Sequence, residues 1–188
     1  MADEAMDRIA AVRMPSIHGL DLVAKGQLMV RATNREAPFF ENDYEAQAKF
    51  AEILKTKDLA WKEVDKGWKI YEPLPQEAEE AAVWKQFLLE WDAWKKGEAA
   101  IDETIRSLAA NRTPAGQKKL FETLYGQFES QKKPFDVANA SIERLVSMNE
   151  GYALADQKRG DEAIVLSRRV MFACAAVALA IVLLIALY

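Results

Sequence analysis

The chain contains one cysteine and one histidine among its 188 residues. Cys174 lies in an uncharged stretch near the C-terminal end, and a lone cysteine cannot form an internal disulfide. His18 has no second histidine, no cysteine and no pair of acids at ligand spacing, which argues against a metal or haem site. We therefore expect no metal and no other cofactor.

Catalytic motifs are also missing. No nucleophile beside a base, no glycine-rich phosphate loop and no pair of catalytic carboxylates stands out. The adjacent acids Glu79 and Glu80 suit the start of a helix, where the helix dipole favours negative charge. We therefore expect a protein that is not an enzyme.

Basic residues do not cluster along the chain. The 25 lysines and arginines are interleaved with 29 acids, and the formal net charge is -4. Nucleic-acid binding needs a clustered basic face that neutralises phosphates. The charge pattern therefore argues against a nucleic-acid partner.

Glycine and proline are few, with eight and six residues, and strong helix formers fill most of the chain. Apolar residues make up 51% of the sequence, enough for a core. No run alternates β-branched with polar residues before the final apolar stretch. These features predict an all-α fold.

Helix breakers and apolar spacing predict four helices, at about residues 5–40, 42–71 and 76–110 and from Pro114 onward. Asn42 is the predicted N-cap of the second helix, and Thr113 that of the fourth, with Pro114 at its first position. Pro134 is expected to kink the fourth helix. Four such helices predict an up-down-up-down four-helix bundle.

The third predicted helix carries Trp84, Phe87, Trp91 and Trp94 in steps of three, four and three residues. This is the a/d pattern of a helix that packs against neighbours at a shallow angle. An aromatic stripe with this spacing is typical of a core and not of a cofactor site. Three later residues continue the same face: Ile101, Ile105 and Leu108.

Residues 170–188 carry no charge and match the roughly 20 apolar residues with which a helix crosses a bilayer. Arg168 and Arg169 precede this stretch and can extend to lipid headgroups, and Tyr188 suits the membrane interface. We therefore expect a bundle over residues 1–169 and a transmembrane helix over 170–188. The positive-inside rule by itself places the two arginines in the cytoplasm.

Predicted helix lengths bear on the start of the chain. The fourth helix extends about 30 Å past the second-to-third connection, and the first helix extends about half as far. If the first helix also reaches the bilayer, about ten further residues and another span are needed before Met1. We expect that a first membrane span is missing from this chain.

Three stretches together resemble the four-helix-bundle sensor domain of bacterial methyl-accepting chemotaxis proteins. They are Met14-Pro15-Ser16-Ile17, the segment from Trp68 to Trp94, and Leu145-Val146-Ser147-Met148-Asn149. The resemblance covers residues 12–188. The family's first span and its HAMP region after the second span are absent here.

This resemblance implies a homodimeric module of the bacterial inner membrane with its bundle in the periplasm. A small molecule would bind in the membrane-distal half near the dimer interface, shift the last helix relative to the first, and signal across the membrane. A ligand does this only through different affinities for two bundle packings, with coupling of about 1–3 kcal/mol.

Arg31 and Arg35 lie one helical turn apart, so they share a face in the membrane-distal half of the bundle. Two guanidinium groups can bind a carboxylate, and the family places arginines on its first helix for acidic ligands. An organic acid or amino acid is the expected ligand. The alternative is a solvated or salt-bridged pair with Glu36 nearby.

At the same height, Trp94, Tyr125 and Phe128 are expected to supply apolar walls and a hydroxyl group to a pocket. The alternative is that all three are simple core residues.

Two other readings of the whole chain stay open. The same sensor bundle can precede a histidine kinase or a diguanylate cyclase. A tail-anchored cytosolic helical adaptor protein is a different class, which fits Arg168 and Arg169 better and needs no missing span.

Overall fold

The computed structural model describes residues 2–186, apart from the side chains of Leu184 and Ala186. Within these residues every regular element is helical, which confirms the all-α prediction. Tyr188, the predicted interfacial aromatic, lies outside the described residues. The helices are α1 (Ala2–Arg8), a π-helix (Ile9–Arg13), α2 (Met14–Asn34), a 3-10 helix (Ala37–Phe40), α3 (Gln47–Tyr71), α4 (Ala78–Ala110), α5 (Pro114–Ser130) and α6 (Lys132–Ala186).

Two helix starts follow from local sequence chemistry. Thr113 is the N-cap of α5, as predicted, because its Oγ1 accepts the backbone N–H of Gly116 at 3.2 Å. The acids before α4 form a capping box, in which Glu77 and Glu80 each accept the backbone N–H of the other. Glu80 is also buried and accepts the hydroxyl of Tyr71 at 2.8 Å.

Two predicted boundaries are wrong. The first predicted helix ends at Asn34 and not near residue 40, and a 3-10 turn containing Pro38 follows. Asn42 is not an N-cap, because α3 begins at Gln47 after a turn in which Asp43 accepts the N–H of Glu45 at 3.0 Å. The fourth predicted helix has a one-residue break at Gln131, close to the kink predicted at Pro134, which has no N–H to donate.

The chain divides into two compact units. One is Pro15–Met148, and the other comprises the described parts of Met1–Met14 and Asn149–Tyr188. This division does not test the predicted boundary between residues 169 and 170.

The unit Pro15–Met148 contains two buried apolar clusters. The first, here called the aromatic cluster, joins the tryptophans of α4 to Leu20 and Val23 of α2, Val64 of α3 and Ile142 of α6. The second lies around Phe50, Ile105 and Phe121. The predicted face of α4 is confirmed, since all seven of its residues are buried: Trp84, Phe87, Trp91, Trp94, Ile101, Ile105 and Leu108.

The buried face of α2 differs from the predicted apolar stripe. Leu28 is one of the apolar residues whose spacing predicts the first helix, with Leu20, Val23 and Val30, but it is 53% exposed. Gly26 and Gln27 lie on the buried face in its place. The spacing of apolar residues does not predict the buried face of α2, because this helix packs partly through small and polar residues.

Two glycines let α2 and α3 approach each other at backbone distance. A Cβ added to Gly19 would lie 2.9 Å from the carbonyl oxygen of Gly67, and one added to Gly67 would lie 2.8 Å from the backbone nitrogen of Val23. Both distances are shorter than real Cβ contacts. The close contact between these helices therefore requires glycine at both positions.

The second unit is held by polar groups and small residues. Asp156 is 1% exposed and accepts Arg13 Nε and Arg159 Nη1, each at 3.2 Å. The guanidinium of Arg13 also lies over the ring of Tyr152, 4.9 Å from its centroid. Ala5 packs close to Gly160, where an added Cβ would lie 3.6 Å away.

One helix in the described part of the chain is long and apolar enough to cross a membrane, judged by length and composition alone. Its most apolar window of 18 residues has a mean hydropathy of 2.0, and none of that window is buried in protein. Phe172 and Leu179, for example, are 69% and 61% exposed. A core helix of a soluble protein would instead be mostly buried.

Gly67→Ala and Gly126→Ala form a matched pair that tests the close contact of α2 with α3. A Cβ added at Gly126 would have no neighbouring atom within 4 Å, and alanine is the better helix former. Gly126→Ala should therefore stabilise the fold by about 0.5–1 kcal/mol. Gly67→Ala must move backbone and should destabilise it by about 1–3 kcal/mol.

Urea denaturation in detergent followed by tryptophan fluorescence measures both changes, since all five tryptophans lie in Pro15–Met148. Equal stabilisation by the two substitutions would show that the glycine contact is not required.

Candidate ligand site

A small cavity lies within the unit Pro15–Met148, among α2, α4, α5 and α6. About 20 Å³ of it is open to water, which is room for one water molecule. A larger ligand can therefore enter only if side chains at its mouth move. The lining residues are Arg31, Asn34, Arg35, Trp94, Glu98, Ile101, Phe128, Gln131, Lys132 and Phe135.

Four of the five predicted ligand residues line this cavity: Arg31, Arg35, Trp94 and Phe128. Trp94 and Phe128 belong to the buried clusters as well, so the cavity and the core share these side chains. Whether a ligand binds to them stays a prediction.

Tyr125 is not among the lining residues. It is 41% exposed, and its hydroxyl donates to Glu41 Oε2 at 2.7 Å. This hydrogen bond to a carboxylate raises the pKa of Tyr125 above its ordinary value. The expected hydroxyl is therefore engaged outside the cavity, and no sequence pattern identifies Glu41 as its partner.

The two arginines are positioned by aromatic rings. The guanidinium of Arg31 lies 4.1 Å from the ring centroid of Phe135, and that of Arg35 lies 4.8 Å from the centroid of Phe128. Arg31 also pairs with Asp136 at 3.8 Å, but both side chains are well exposed, so this pair contributes little. Stacking uses the faces of the guanidinium groups and leaves N–H edges for a ligand.

Three lining side chains carry a buried polar atom that has no hydrogen-bond partner. They are the indole Nε1–H of Trp94, the amide Oδ1 of Asn34 and the amide Oε1 of Gln131. Trp94 is 0% and Asn34 is 2% exposed. An unpaired buried polar group costs about 1–3 kcal/mol, so each of these three atoms would gain from a hydrogen bond to a ligand in the cavity.

A buried ion network forms one wall of the cavity. Glu98 Oε2 accepts Lys57 Nζ at 2.6 Å and Asn34 Nδ2 at 2.7 Å, and Lys57 also donates to Asp102 at 2.5 Å. Lys57 and Glu98 are 1% and 3% exposed. Lys57 thereby pairs with two carboxylates. Three further cationic side chains line the cavity, of which Arg31 pairs with Asp136 and Lys132 with Glu129, while Arg35 stacks on Phe128.

The sequence prediction missed this network, although a signal for it exists. Lys57 falls on the buried face of α3 between Ile53 and Ala60, and Glu98 falls between Trp94 and Ile101 on that of α4. A charged residue at a core position needs a partner there. Pairing the two would have indicated the network.

In the described part of the chain, no group of three or more His, Cys, Asp or Glu residues is placed to hold a metal ion. The lining side chains of the cavity offer donors from Arg31, Arg35 and Trp94 and acceptors from Asn34 and Gln131.

Comparison of the chain with known protein-family models, with curated proteins and with solved structures finds no match.

Lys57→Met tests the buried network, and Lys55→Met is its matched control. Removal of Lys57 leaves Glu98 buried without its cation, which should lower the free energy of unfolding by about 3–5 kcal/mol. Lys55 is exposed and pairs only with Glu52 one turn away, so its loss should cost less than about 0.5 kcal/mol.

Urea denaturation of both variants in detergent gives the comparison. Similar small changes for Lys57→Met and Lys55→Met would contradict a structural role for the buried lysine.

Proposed function

We propose that this chain is the ligand-sensing part of a bacterial membrane receptor of the chemoreceptor type, and that it binds a small carboxylate. The observation that carries the proposal is the cavity itself. Two arginines and an unpaired indole N–H line one space.

The available groups suit a carboxylate in particular. Guanidinium edges of Arg31 and Arg35 donate charge-assisted hydrogen bonds, and the N–H of Trp94 provides a further donor from the buried side. The free Oδ1 of Asn34 can accept a hydrogen bond from an ammonium or hydroxyl group of the same ligand. An amino acid or a hydroxy acid would use both kinds of partner.

We further propose that the unit Pro15–Met148 is an up-down-up-down four-helix bundle, with α5 and the start of α6 together as its fourth helix. Packing of α3 on α4 and of α4 on α5 supports this, as does an aromatic cluster that draws on α2, α3, α4 and α6. Two such bundles would form the homodimer that the resemblance implies.

The proposed membrane span is residues 170–188, of which the described part is apolar and exposed. In a chemoreceptor the bundle lies in the periplasm and the span crosses the inner membrane. Helix α6 contributes Lys132 and Phe135 to the cavity and also contains most of the span. Ligand binding at the cavity would thus act directly on the helix that enters the membrane.

Ligand binding is tested by thermal unfolding of the full chain in detergent with a panel of organic acids and amino acids. A ligand that binds only the folded state raises the melting temperature by mass action. Arg31→Gln with Arg35→Gln should weaken binding about tenfold or more, since each charge-assisted hydrogen bond contributes about 1.5–3 kcal/mol.

Arg106→Gln is the control, because Arg106 is exposed on α4, pairs with Glu103 and does not line the cavity. If the double Arg31 and Arg35 variant binds the ligand with unchanged affinity, the two arginines are not ligand-binding residues. No stabilisation by any acid in the panel would contradict the proposed ligand class.

The tail-anchored adaptor is a second candidate, favoured by Arg168 and Arg169 directly before the apolar stretch. The sensor proposal and the adaptor proposal differ in the side of the membrane on which the bundle lies. Because Cys174 is the only cysteine, Cys174→Ala with Ser130→Cys gives one exposed thiol on the bundle.

A membrane-impermeant maleimide applied to spheroplasts tests the location. The sensor proposal predicts labelling at position 130 in intact spheroplasts, whereas the adaptor predicts labelling only after lysis. The unaltered chain, with Cys174 inside the bilayer, should stay unlabelled in intact spheroplasts.

A further inference from the structure

A second recess in the unit Pro15–Met148 lies along the contact of α3 with α4. It is a groove of about 340 Å³ and is much roomier than the cavity beside Arg31. Its walls include three tryptophans, Trp61, Trp68 and Trp91, and two acids, Asp65 and Asp92. It shares no lining residue with the cavity.

The three indole rings form walls at steep angles to one another. Trp61 and Trp91 are nearly perpendicular, with centroids 6.1 Å apart, and Trp68 and Trp91 are inclined by 46° at 5.7 Å. Trp61 and Trp68 are only partly buried. Indole surface therefore remains open to a ligand in the groove.

Two carboxylates, those of Asp65 and Asp92, line this aromatic groove together with the ammonium of Lys95. Asp65 lies four residues after Trp61 and three before Trp68, so it shares their helix face. Asp92 follows Trp91 directly and pairs with Lys96 at 2.7 Å, with both side chains exposed. An exposed pair of this kind is weak and does not cancel the attraction for a second cation.

The structure already places a cation against one of these rings. The ammonium of Lys95 lies 5.7 Å from the ring centroid of Trp61, within the range of a cation–π contact. Lys95 lines the same groove, and its side chain is exposed. The groove therefore accepts positive charge at this position, and the occupant can be displaced.

We propose that this groove binds a quaternary ammonium group, such as the trimethylammonium head of a small molecule. Such a cation is weakly hydrated and donates no N–H hydrogen bond, so aromatic faces are its best contacts, with nearby carboxylates supplying charge. A primary ammonium or a guanidinium would instead require hydrogen-bond acceptors inside the groove. The proposal does not depend on the carboxylate site.

Choline is compared with its uncharged isostere, 3,3-dimethylbutan-1-ol. The comparison shows whether binding requires the positive charge or only an apolar group of the same shape. The full chain in a maltoside detergent is titrated with each, and tryptophan emission is recorded. Choline should give a saturable change, and the neutral alcohol should bind at least about tenfold more weakly. Equal binding of the two would overturn the proposal and would identify a general apolar groove.

Three sets of variants locate the site. Asp65→Asn with Asp92→Asn should weaken choline binding about fivefold or more, whereas Glu122→Gln, exposed on α5 outside the groove, should not change it. Lys95→Gln removes the competing cation and should tighten binding. These substitutions replace exposed side chains, so the fold should be retained, and melting temperatures check this.

Unchanged choline affinity in the double aspartate variant would overturn the proposal, as would weaker binding in Lys95→Gln. Choline binding should also persist in the Arg31→Gln, Arg35→Gln variant, because that cavity has a separate lining. If only that variant loses choline, the cation binds at the cavity and the groove assignment is wrong.

Discussion

The ion pair between Lys57 and Glu98 is the constraint on which the arrangement of α2, α3 and α4 depends. Lys57 and Glu98 are both almost fully buried. They must therefore form an ion pair, because an unpaired charge in the interior would cost several kcal/mol. Asn34 joins the pair from α2 by donating to the same carboxylate oxygen. One carboxylate thus fixes the register of three helices and forms a wall of the candidate ligand site.

The close backbone contact at Gly19 and Gly67 and the aromatic packing complete this arrangement. Tryptophans of α3 and α4 pack together with ring centroids 4.6–6.1 Å apart, and the same cluster borders two different recesses. Trp94 borders the cavity lined by Arg31 and Arg35, while Trp61 and Trp91 border the groove lined by the two aspartates. A ligand in either recess would act on one shared set of rings.

Much of this fold follows from the sequence, because apolar spacing and capping are local properties. The buried face of α4 and the cap at Thr113 needed only the order of the residues. The exposure of Leu28 and the turn before Gln47 were not predicted, because glycine packing and an Asx turn at Asp43 replace the expected pattern. Arg31 and Arg35 could be grouped since they share one helix face.

The partners of these residues could not be predicted, because they come from other helices. Each of these contacts depends on how the helices are rotated about their axes. Examples are the contacts of Arg31 with Phe135, of Asn34 with Glu98 and of Tyr125 with Glu41. A stripe of apolar residues fixes that rotation only coarsely. The pairing of Lys57 with Glu98 sets it more finely.

The cavity beside Trp94 is the proposed binding site for a carboxylate. Its most direct test is the nuclear magnetic resonance signal of the Trp94 indole N–H in the full chain in detergent, titrated with the acids of the panel. Binding predicts that this signal shifts downfield as its N–H gains an acceptor, and that Arg31→Gln with Arg35→Gln reduces the effect. An indole signal of Trp94 that stays unchanged at saturating ligand would contradict the account.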